Sequence, residues 1–292
     1  MSAIQPLLSE YVLSVEEPIV NVASVPQLSP FRYPGGKTWL VPHVTRWLRN
    51  LPKRPRQMID PFTGGGSVPL AALSEGLVDR LVLCELDTDV AAVWKVVFSA
   101  DAGRLCGKIL DFDITREHVL QIVSSVPQSL LDKAFRTIVK NRTFRGGILA
   151  DGASLVNVGE NGRGVASRWY PETLVRRIRS LQTLSAQVTV VEGDGLDVIQ
   201  HYDDSPSTVF FADPPYTAGN GKRAGKRLYR HYELDHQRLF KLLSKMSGPV
   251  MLTYDDDPYV MELAEHFGFQ SQRVPMKNTH HRCMYELVIT RF

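Results

Sequence analysis

Four consecutive residues, Asp213-Pro214-Pro215-Tyr216, follow the apolar run Val209-Phe210-Phe211-Ala212. The run reads as a buried strand, so Asp213 falls at a strand's carboxyl end, where open α/β sheets keep their reactive groups. Each residue type has a use on an exocyclic aromatic amine. The lone pair of such a nitrogen, adenine N6 for example, is delocalised into the ring and is a poor nucleophile. Two acceptors aimed at its two N–H groups favour a more tetrahedral, more nucleophilic nitrogen. The Asp213 carboxylate can be one acceptor and the Pro214 carbonyl the other. Consecutive prolines fix φ, which stiffens the loop and preorganises both acceptors. Tyr216 offers a face for stacking a base, and a base must leave its duplex to reach such a pocket. The plain alternative is an Asp-Pro-Pro turn that packs a tyrosine.

Two glycine-rich segments lie upstream. Asp60-Pro61-Phe62-Thr63-Gly64-Gly65-Gly66-Ser67 sits between a predicted strand and a predicted helix. Its glycines fail the full dinucleotide pattern, because Pro69 occupies the third glycine position. They still let a ligand approach the backbone closely. Glu85, 25 residues beyond Asp60, ends the next predicted strand and can accept hydrogen bonds from ribose hydroxyls. The pair suits S-adenosylmethionine better than NAD, since the former has no pyrophosphate to cradle. Pro34-Gly35-Gly36-Lys37-Thr38 ends like a P-loop, but Phe31 stands where that motif needs its first glycine, and the preceding residues make a poor strand. What remains is a double-glycine turn, an aromatic at Tyr33 and a lysine opening a helix, a setting that can bind a carboxylate.

Hydrophobic periodicity supplies the elements that must position these residues. Helices are predicted over 38–50, 67–75, 88–98, 234–245 and 258–267, and strands over 58–59, 81–84, 188–191, 209–211, 250–253 and 286–290. Strands alternating with helices imply an α/β fold with a largely parallel sheet. Residues 101–184 interrupt that alternation with a mostly helical block, broken by a glycine-rich centre. Residues 1–30 show no clear period and read as a tail or a strap.

The 292 residues carry a formal net charge of +3, with 43% hydrophobic and 22% charged residues. That composition supports a folded core and argues against disorder. No apolar run of about 18 residues suggests a membrane span. The three cysteines are scattered without a CxxC pair, which argues against a disulfide framework and a cysteine zinc site and suits a reducing cytoplasm. The small net charge hides an uneven distribution. Residues 133–179 hold ten basic and three acidic residues, and residues 217–232 hold five basic and no acidic ones. Two basic segments on an acidic body point to a polyanionic partner, with nucleic acid first.

The order FRYPGGK, DPFTGGGS, an acid after the next strand, then DPPY resembles the D12 class (Dam-like) of DNA adenine-N6 methyltransferases. The resemblance runs from about Phe31 to Phe292. It implies a Rossmann-like methyltransferase sheet formed by 31–100 and 185–292, with an inserted target-recognition domain over 101–184. It implies S-adenosylmethionine held by Tyr33, Pro34, Gly35, Gly36, Lys37, Asp60, Phe62, Gly64, Gly66, Glu85 and Asp194. Catalysis falls to Asp213, Pro214, Pro215 and Tyr216. Asn141-Arg142-Thr143-Phe144-Arg145-Gly146-Gly147 resembles the family's NRxGxNG-like segment, which points to Asn141, Arg142 and Arg145 as DNA contacts. The loop after DPPY reaches DNA in that family, which implies Lys222, Arg223, Lys226, Arg227, Tyr229, Arg230 and Tyr232.

The expected reaction is methyl transfer to N6 of a flipped adenine in double-stranded DNA. An RNA adenine-N6 methyltransferase and a catalytically inactive DNA-binding module are the alternatives. No metal is expected. His280-His281-x-Cys283 has poor spacing for zinc, and Asp255-Asp256-Asp257 suits a helix cap. The expected setting is cytoplasmic, in a bacterial nucleoid or phage-encoded. A homodimer and a cognate restriction endonuclease stay open as partners.

Overall fold

The structure, a computed structural model, describes residues 19–202, 204–218, 229–277 and 283–292. Seven strands form one sheet: β1 Gln57–Asp60, β2 Arg80–Glu85, β3 Val188–Glu192, β4 Thr208–Ala212, β5 Val250–Asp255, β6 Gln270–Lys277 and β7 Cys283–Arg291. Their order is β3-β2-β1-β4-β5-β7-β6, and β7 alone runs antiparallel to its neighbours β5 and β6. The parallel strands carry apolar runs because both faces are covered. All five residues of β4 are buried. The chain reverses its strand order between β1 and β4, so Asp60 and Asp213 follow neighbouring strands at a topological switch point, where open α/β sheets bind ligands.

Alternation along the strands builds two buried clusters. Met58, Leu81, Leu83, Val209, Phe211 and Met251 face one way, onto α1 (Val41–Asn50), α2 (Ser67–Ser74) and α3 (Thr88–Val97). Ile59, Val82, Phe210, Val250 and Leu252 face the other way, onto α8 (Gly195–His201), α9 (His236–Leu243) and α10 (Pro258–His266). The chain therefore has the α/β class and Rossmann-like sheet that its sequence implies. Among the described residues, no helix is long and apolar enough to cross a membrane.

Four helices occupy the interrupting block: α4 Ala102–Asp111, α5 Arg116–Ser124, α6 Leu130–Thr143 and α7 Pro171–Gln182. Their buried residues, among them Leu105, Ile109, Ile138 and Ile178, join the same cluster as Trp94 of α3 and the sheet. The block shares the core of the sheet's first face and has no separate core of its own. Residues 19–30 act as a strap against it. Arg177 of α7 donates to the Ser29 carbonyl at 2.9 Å, and Arg142 of α6 donates to the Pro30 carbonyl. Residues 1–18, read as part of a tail, lie outside the described residues.

Several boundaries differ from the periodicity, each for a local reason. Residues 38–40 form a 3-10 turn, and the α-helix begins at Val41 with Pro42 in its first turn. Asp87, not Thr88, caps α3 by accepting from the Asp89 amide at 2.9 Å. Strand β6 is absent from the sequence reading because Gln270–Lys277 is polar and mostly exposed. It is an edge strand, where Pro275 is tolerated. Strand β5 runs on through Tyr254 and Asp255, beyond the predicted 250–253. Asp257 caps α10 by accepting from the Tyr259 amide, in line with a capping role for the Asp triplet.

Candidate active site

One cavity of about 1180 Å³, measured out to its open mouth, lies over the carboxyl ends of β1, β2 and β4. All eleven residues expected at the cofactor line it: Tyr33 to Lys37, Asp60, Phe62, Gly64, Gly66, Glu85 and Asp194. Asp213 and Pro215 line it as well. The helical block contributes Gly147, Leu149 and Ala150, and the segment after DPPY contributes Tyr229 and Arg230.

The floor is set by close packing. Gly64 has φ +46°, and a Cβ there would lie 2.6 Å from Tyr33 Cε1, so only glycine fits. Its amide donates to Glu85 Oε2 at 2.9 Å, and its carbonyl accepts from Trp94 Nε1 at 3.0 Å. Glu85 Oε1 accepts from the Asp87 amide at 2.8 Å. Burial outweighs these N–H bonds and pushes the Glu85 carboxyl up to about 7. Asp60 is likewise buried, at 2% exposure, and is held well above the usual carboxylate range by burial, with Asp213 and Glu85 adding to it. Asp194 caps α8 through the Leu196 amide at 2.8 Å and also lines the cavity. Asp60, Glu85 and Asp213 thus line the cavity, the first two with carboxyls raised by burial and the third paired with Lys37.

Asp213 is held by one oxygen. Its Oδ1 accepts from Thr253 Oγ1 at 2.7 Å and from the Tyr216 hydroxyl at 2.9 Å, and Lys37 Nζ lies 3.0 Å away. Among the described residues no donor reaches Oδ2. Lys37, 5% exposed, also donates to the Gly35 carbonyl at 2.9 Å and lies 3.5 Å from Glu286 Oε2. Burial alone would lower its pKa. Asp213 and Glu286 outweigh burial and hold the ammonium charged above its usual range. The lysine expected at the cofactor is therefore also the counter-ion of the DPPY carboxylate.

Tyr216 departs from its expected place. Its ring stacks on Tyr254, with centroids 5.6 Å apart, and Lys37 Nζ lies over it at 4.7 Å. Neither Tyr216 nor Pro214 lines the cavity. In this structure the Tyr216 ring faces the chain's own side chains, and its hydroxyl braces Asp213. Behind it, Tyr254 Oη bonds His236 Nδ1 at 2.9 Å, and His236 Nε2 bonds Thr217 Oγ1 at 3.1 Å.

Two expected DNA contacts are corrected. Asn141 is fully buried. It accepts from the Arg32 amide at 2.9 Å and donates to the carbonyls of Arg32 at 3.0 Å and Gly147 at 2.8 Å. Arg142 is 6% exposed and holds Pro30. Burial, with Arg177, Arg32 and Arg168 nearby, lowers its guanidinium to about 9. Both residues tie the strap and the PGGK segment to α6, and neither is presented to solvent. Arg145, two residues past the helix, is exposed. Tyr229 stacks on Tyr33 at 5.9 Å and donates to the Pro34 carbonyl at 3.0 Å. Arg230 pairs with Asp87 at 3.0 Å and Asp89 at 3.2 Å. These two fasten the segment after DPPY to the cavity rim. Tyr232 is half-buried, and its carbonyl accepts from Thr217 Oγ1. Lys222, Arg223, Lys226, Arg227, His280 and His281 lie outside the described residues. Among the described residues, no group of three or more His, Cys, Asp or Glu side chains could hold a metal ion.

Sequence reasoning missed Thr253 and Glu286, which face Asp213, Tyr216 and Lys37 from β5 and β7. Neither belongs to a motif. Their signal is strand alternation combined with a register that only the folded sheet supplies.

Residues 33–114 match the family model described as D12 class N6 adenine-specific DNA methyltransferase. No curated protein matches the chain. Similar solved structures include the rRNA methyltransferase AviRa from Streptomyces viridochromogenes, 13% identical with TM-score 0.40, covering 94% of this chain and 85% of that one. A precorrin-6y C5,15-methyltransferase from Geobacter metallireducens is 11% identical with TM-score 0.36, covering 86% of each chain. The tRNA methyltransferase TrmK from B. subtilis is 10% identical with TM-score 0.36, covering 85% of this chain and 64% of that one. The family match supports a methyltransferase that uses S-adenosylmethionine.

Proposed function

We propose that this chain, whose residues 33–114 match the D12 class family model, moves a methyl group from S-adenosylmethionine to N6 of adenine in double-stranded DNA. The observation that carries the reading is Asp213. Its Oδ1 is fixed by donors from one strand and two loops, and its Oδ2 is left for a substrate amine at the edge of the cavity.

The cavity residues fit the cofactor by their chemistry. The close approach of Gly64 to Tyr33 and Glu85 leaves backbone, not side chain, against the ligand. Glu85, with each oxygen already taking one N–H bond, keeps lone pairs for ribose hydroxyls. S-adenosylmethionine, when bound, supplies an electrophilic methyl group. Asp213 Oδ2 accepts an N–H of the adenine amine and raises the electron density on nitrogen. The stiff Pro214-Pro215 pair keeps that acceptor in place, so little reorganisation accompanies the step. Positive charge that develops on the amine is met by the Asp213 carboxylate, and the released proton leaves by way of it. The base must be extruded from the duplex to reach this position, at a cost of a few kcal/mol of unstacking. Exposed Arg145 and the basic run 217–232 supply phosphate contacts and a salt-dependent affinity.

The test is transfer of a labelled methyl group to duplex DNA and, in parallel, to RNA. Transfer to DNA adenine, with little to RNA, is the expected result. Transfer to RNA alone, or to neither, overturns the reading.

Glu85 gives a pH prediction. Its carboxylate form accepts ribose hydroxyls, so cofactor affinity is present above about pH 7 and weakens as pH falls through that value. Calorimetric titration at pH 6 and pH 8 reads this difference, and it should be absent in Glu85→Gln. The folding contribution has the opposite sign. Because the folded pKa is raised, it is fully present below the ordinary carboxylate range and is lost as pH rises to about 7.

A further inference from the structure

Glu286 lies at the heart of the site, yet it belongs to no motif and to none of the four catalytic positions in DPPY. It sits on β7 opposite Asp255 of β5 and Val274 of β6. Its side chain is 13% exposed. The Tyr216 hydroxyl lies 3.0 Å from Glu286 Oε2 and 2.9 Å from Asp213 Oδ1. A phenol has one hydrogen, so it cannot donate fully to two carboxylates. Thr253 does not resolve this, because its own single hydroxyl hydrogen goes to Asp213 over 2.7 Å.

Charge points the same way. Asp213 and Glu286 share one cation, Lys37, in a largely buried cluster. With both carboxyls ionised the trio is net negative. With one protonated it is neutral, which burial favours. The other described groups acting on Glu286 are Asp213, Asp255 and the phenols of Tyr216 and Tyr229, which add no positive charge. Burial is the largest influence and raises the Glu286 carboxyl, while Lys37 offsets part of it. Asp213, with three donors converging on Oδ1, has the better claim to stay ionised.

We infer that Glu286 keeps a proton and donates it to the Tyr216 oxygen, committing the single phenolic hydrogen of Tyr216 to Asp213. Glu286 is then a positioning residue. The donor chain runs from Glu286 through Tyr216 to Asp213 Oδ1, and it leaves Oδ2 as the acceptor for the substrate amine. Ionising Glu286 reverses the order. The phenolic hydrogen is drawn toward Glu286, and Asp213 loses a donor. The inference rests on the proposed reaction for its kinetic consequence, but not for its proton.

Two measurements test it. The first is NMR titration of the side-chain carboxyls of the full chain. A carboxyl that titrates above the ordinary range and disappears in Glu286→Gln is expected, and this readout needs no substrate. The second is the pH profile of kcat for methyl transfer. The parent should lose activity on the alkaline side. Glu286→Gln, whose amide N–H can replace the carboxyl proton, should keep kcat within about twofold at neutral pH and lack that limb. Glu286→Ala should drop kcat by about tenfold at neutral pH and also lack the alkaline limb, so that its deficit against the parent shrinks as pH rises, with the KM for cofactor unchanged. A Glu286 carboxyl that titrates in the ordinary range overturns the inference. So does a Glu286→Gln profile that coincides with the parent's, or a Glu286→Gln activity as low as that of Glu286→Ala. A parent inactive on every nucleic acid would sink the proposed function instead, and the NMR titration would still decide the proton.

Discussion

Replacing Asp213 with alanine is expected to lower kcat for methyl transfer by about 10²- to 10³-fold, the scale of removing one preorganised electrostatic group. Cofactor affinity should stay within a few fold, because the other lining residues, Tyr33 to Lys37, Asp60, Glu85 and Asp194 among them, remain in place. The variant should still fold. Lys37 keeps the Gly35 carbonyl, and Glu286, 3.5 Å away, can give up its proton and become the counter-ion, so the ammonium charge is not stranded. Asp213→Asn is the sharper test. Lys37, Thr253 and Tyr216 all donate toward Oδ1, which holds the amide oxygen there. The amide NH2 then takes the place of Oδ2 and offers donors where an acceptor is needed. Stability close to the parent with activity as low as alanine's is the expected result. Thermal unfolding and single-turnover methyl transfer measure the two properties separately. Full activity in Asp213→Ala would remove Asp213 from the mechanism.

The second large effect is on stability. Asn141→Ala should destabilise the fold by about 2–4 kcal/mol, because it leaves the Arg32 amide and the carbonyls of Arg32 and Gly147 without their partner. For a chain of this size that is on the order of 3–7 °C in Tm. The damage should also reach the cofactor, since Arg32 leads directly into Tyr33-Pro34-Gly35-Gly36-Lys37 on the cavity wall. A base-reading asparagine would behave differently. Its loss would raise the KM for DNA and leave Tm alone. Melting curves and cofactor titrations of Asn141→Ala therefore separate the buried clamp from the surface contact that the NRxGxNG-like resemblance implies.

Asn141 also shows where sequence reasoning stops. The dipeptide Asn141-Arg142 looks like a polar pair at the end of a basic helix, available to a polyanion. Its partners are Pro30, Arg32 and Gly147, and two of these lie more than a hundred residues away along the chain. Nothing local reveals that the strap runs past the end of α6. The cavity was more legible. Its residues come from the PGGK turn and from the turns that follow β1, β2 and β3, and such turns have much the same geometry in any surrounding.

Pieces with local geometry can be read from the order of residues alone. Apolar runs ending in Asp60, Glu85 and Asp213 place three acids at strand ends, and glycines or prolines shape the turns that follow. The alternation of strands and helices then leaves the carboxyl edge of a parallel sheet as the one place for them to meet. Tertiary structure alone decided the support. Thr253 and Glu286 reach the site because β5 and β7 pair in a register that sets Thr253 opposite Val288 and Asp255 opposite Glu286. A shift of one residue would turn each side chain to the other face of the sheet. The same packing turned the Tyr216 ring onto Tyr254 and Lys37 and gave its hydroxyl to Asp213. The contacts of Thr253 with Asp213 and of Glu286 with Tyr216 span 40 and 70 residues in sequence, and no spacing rule encodes them.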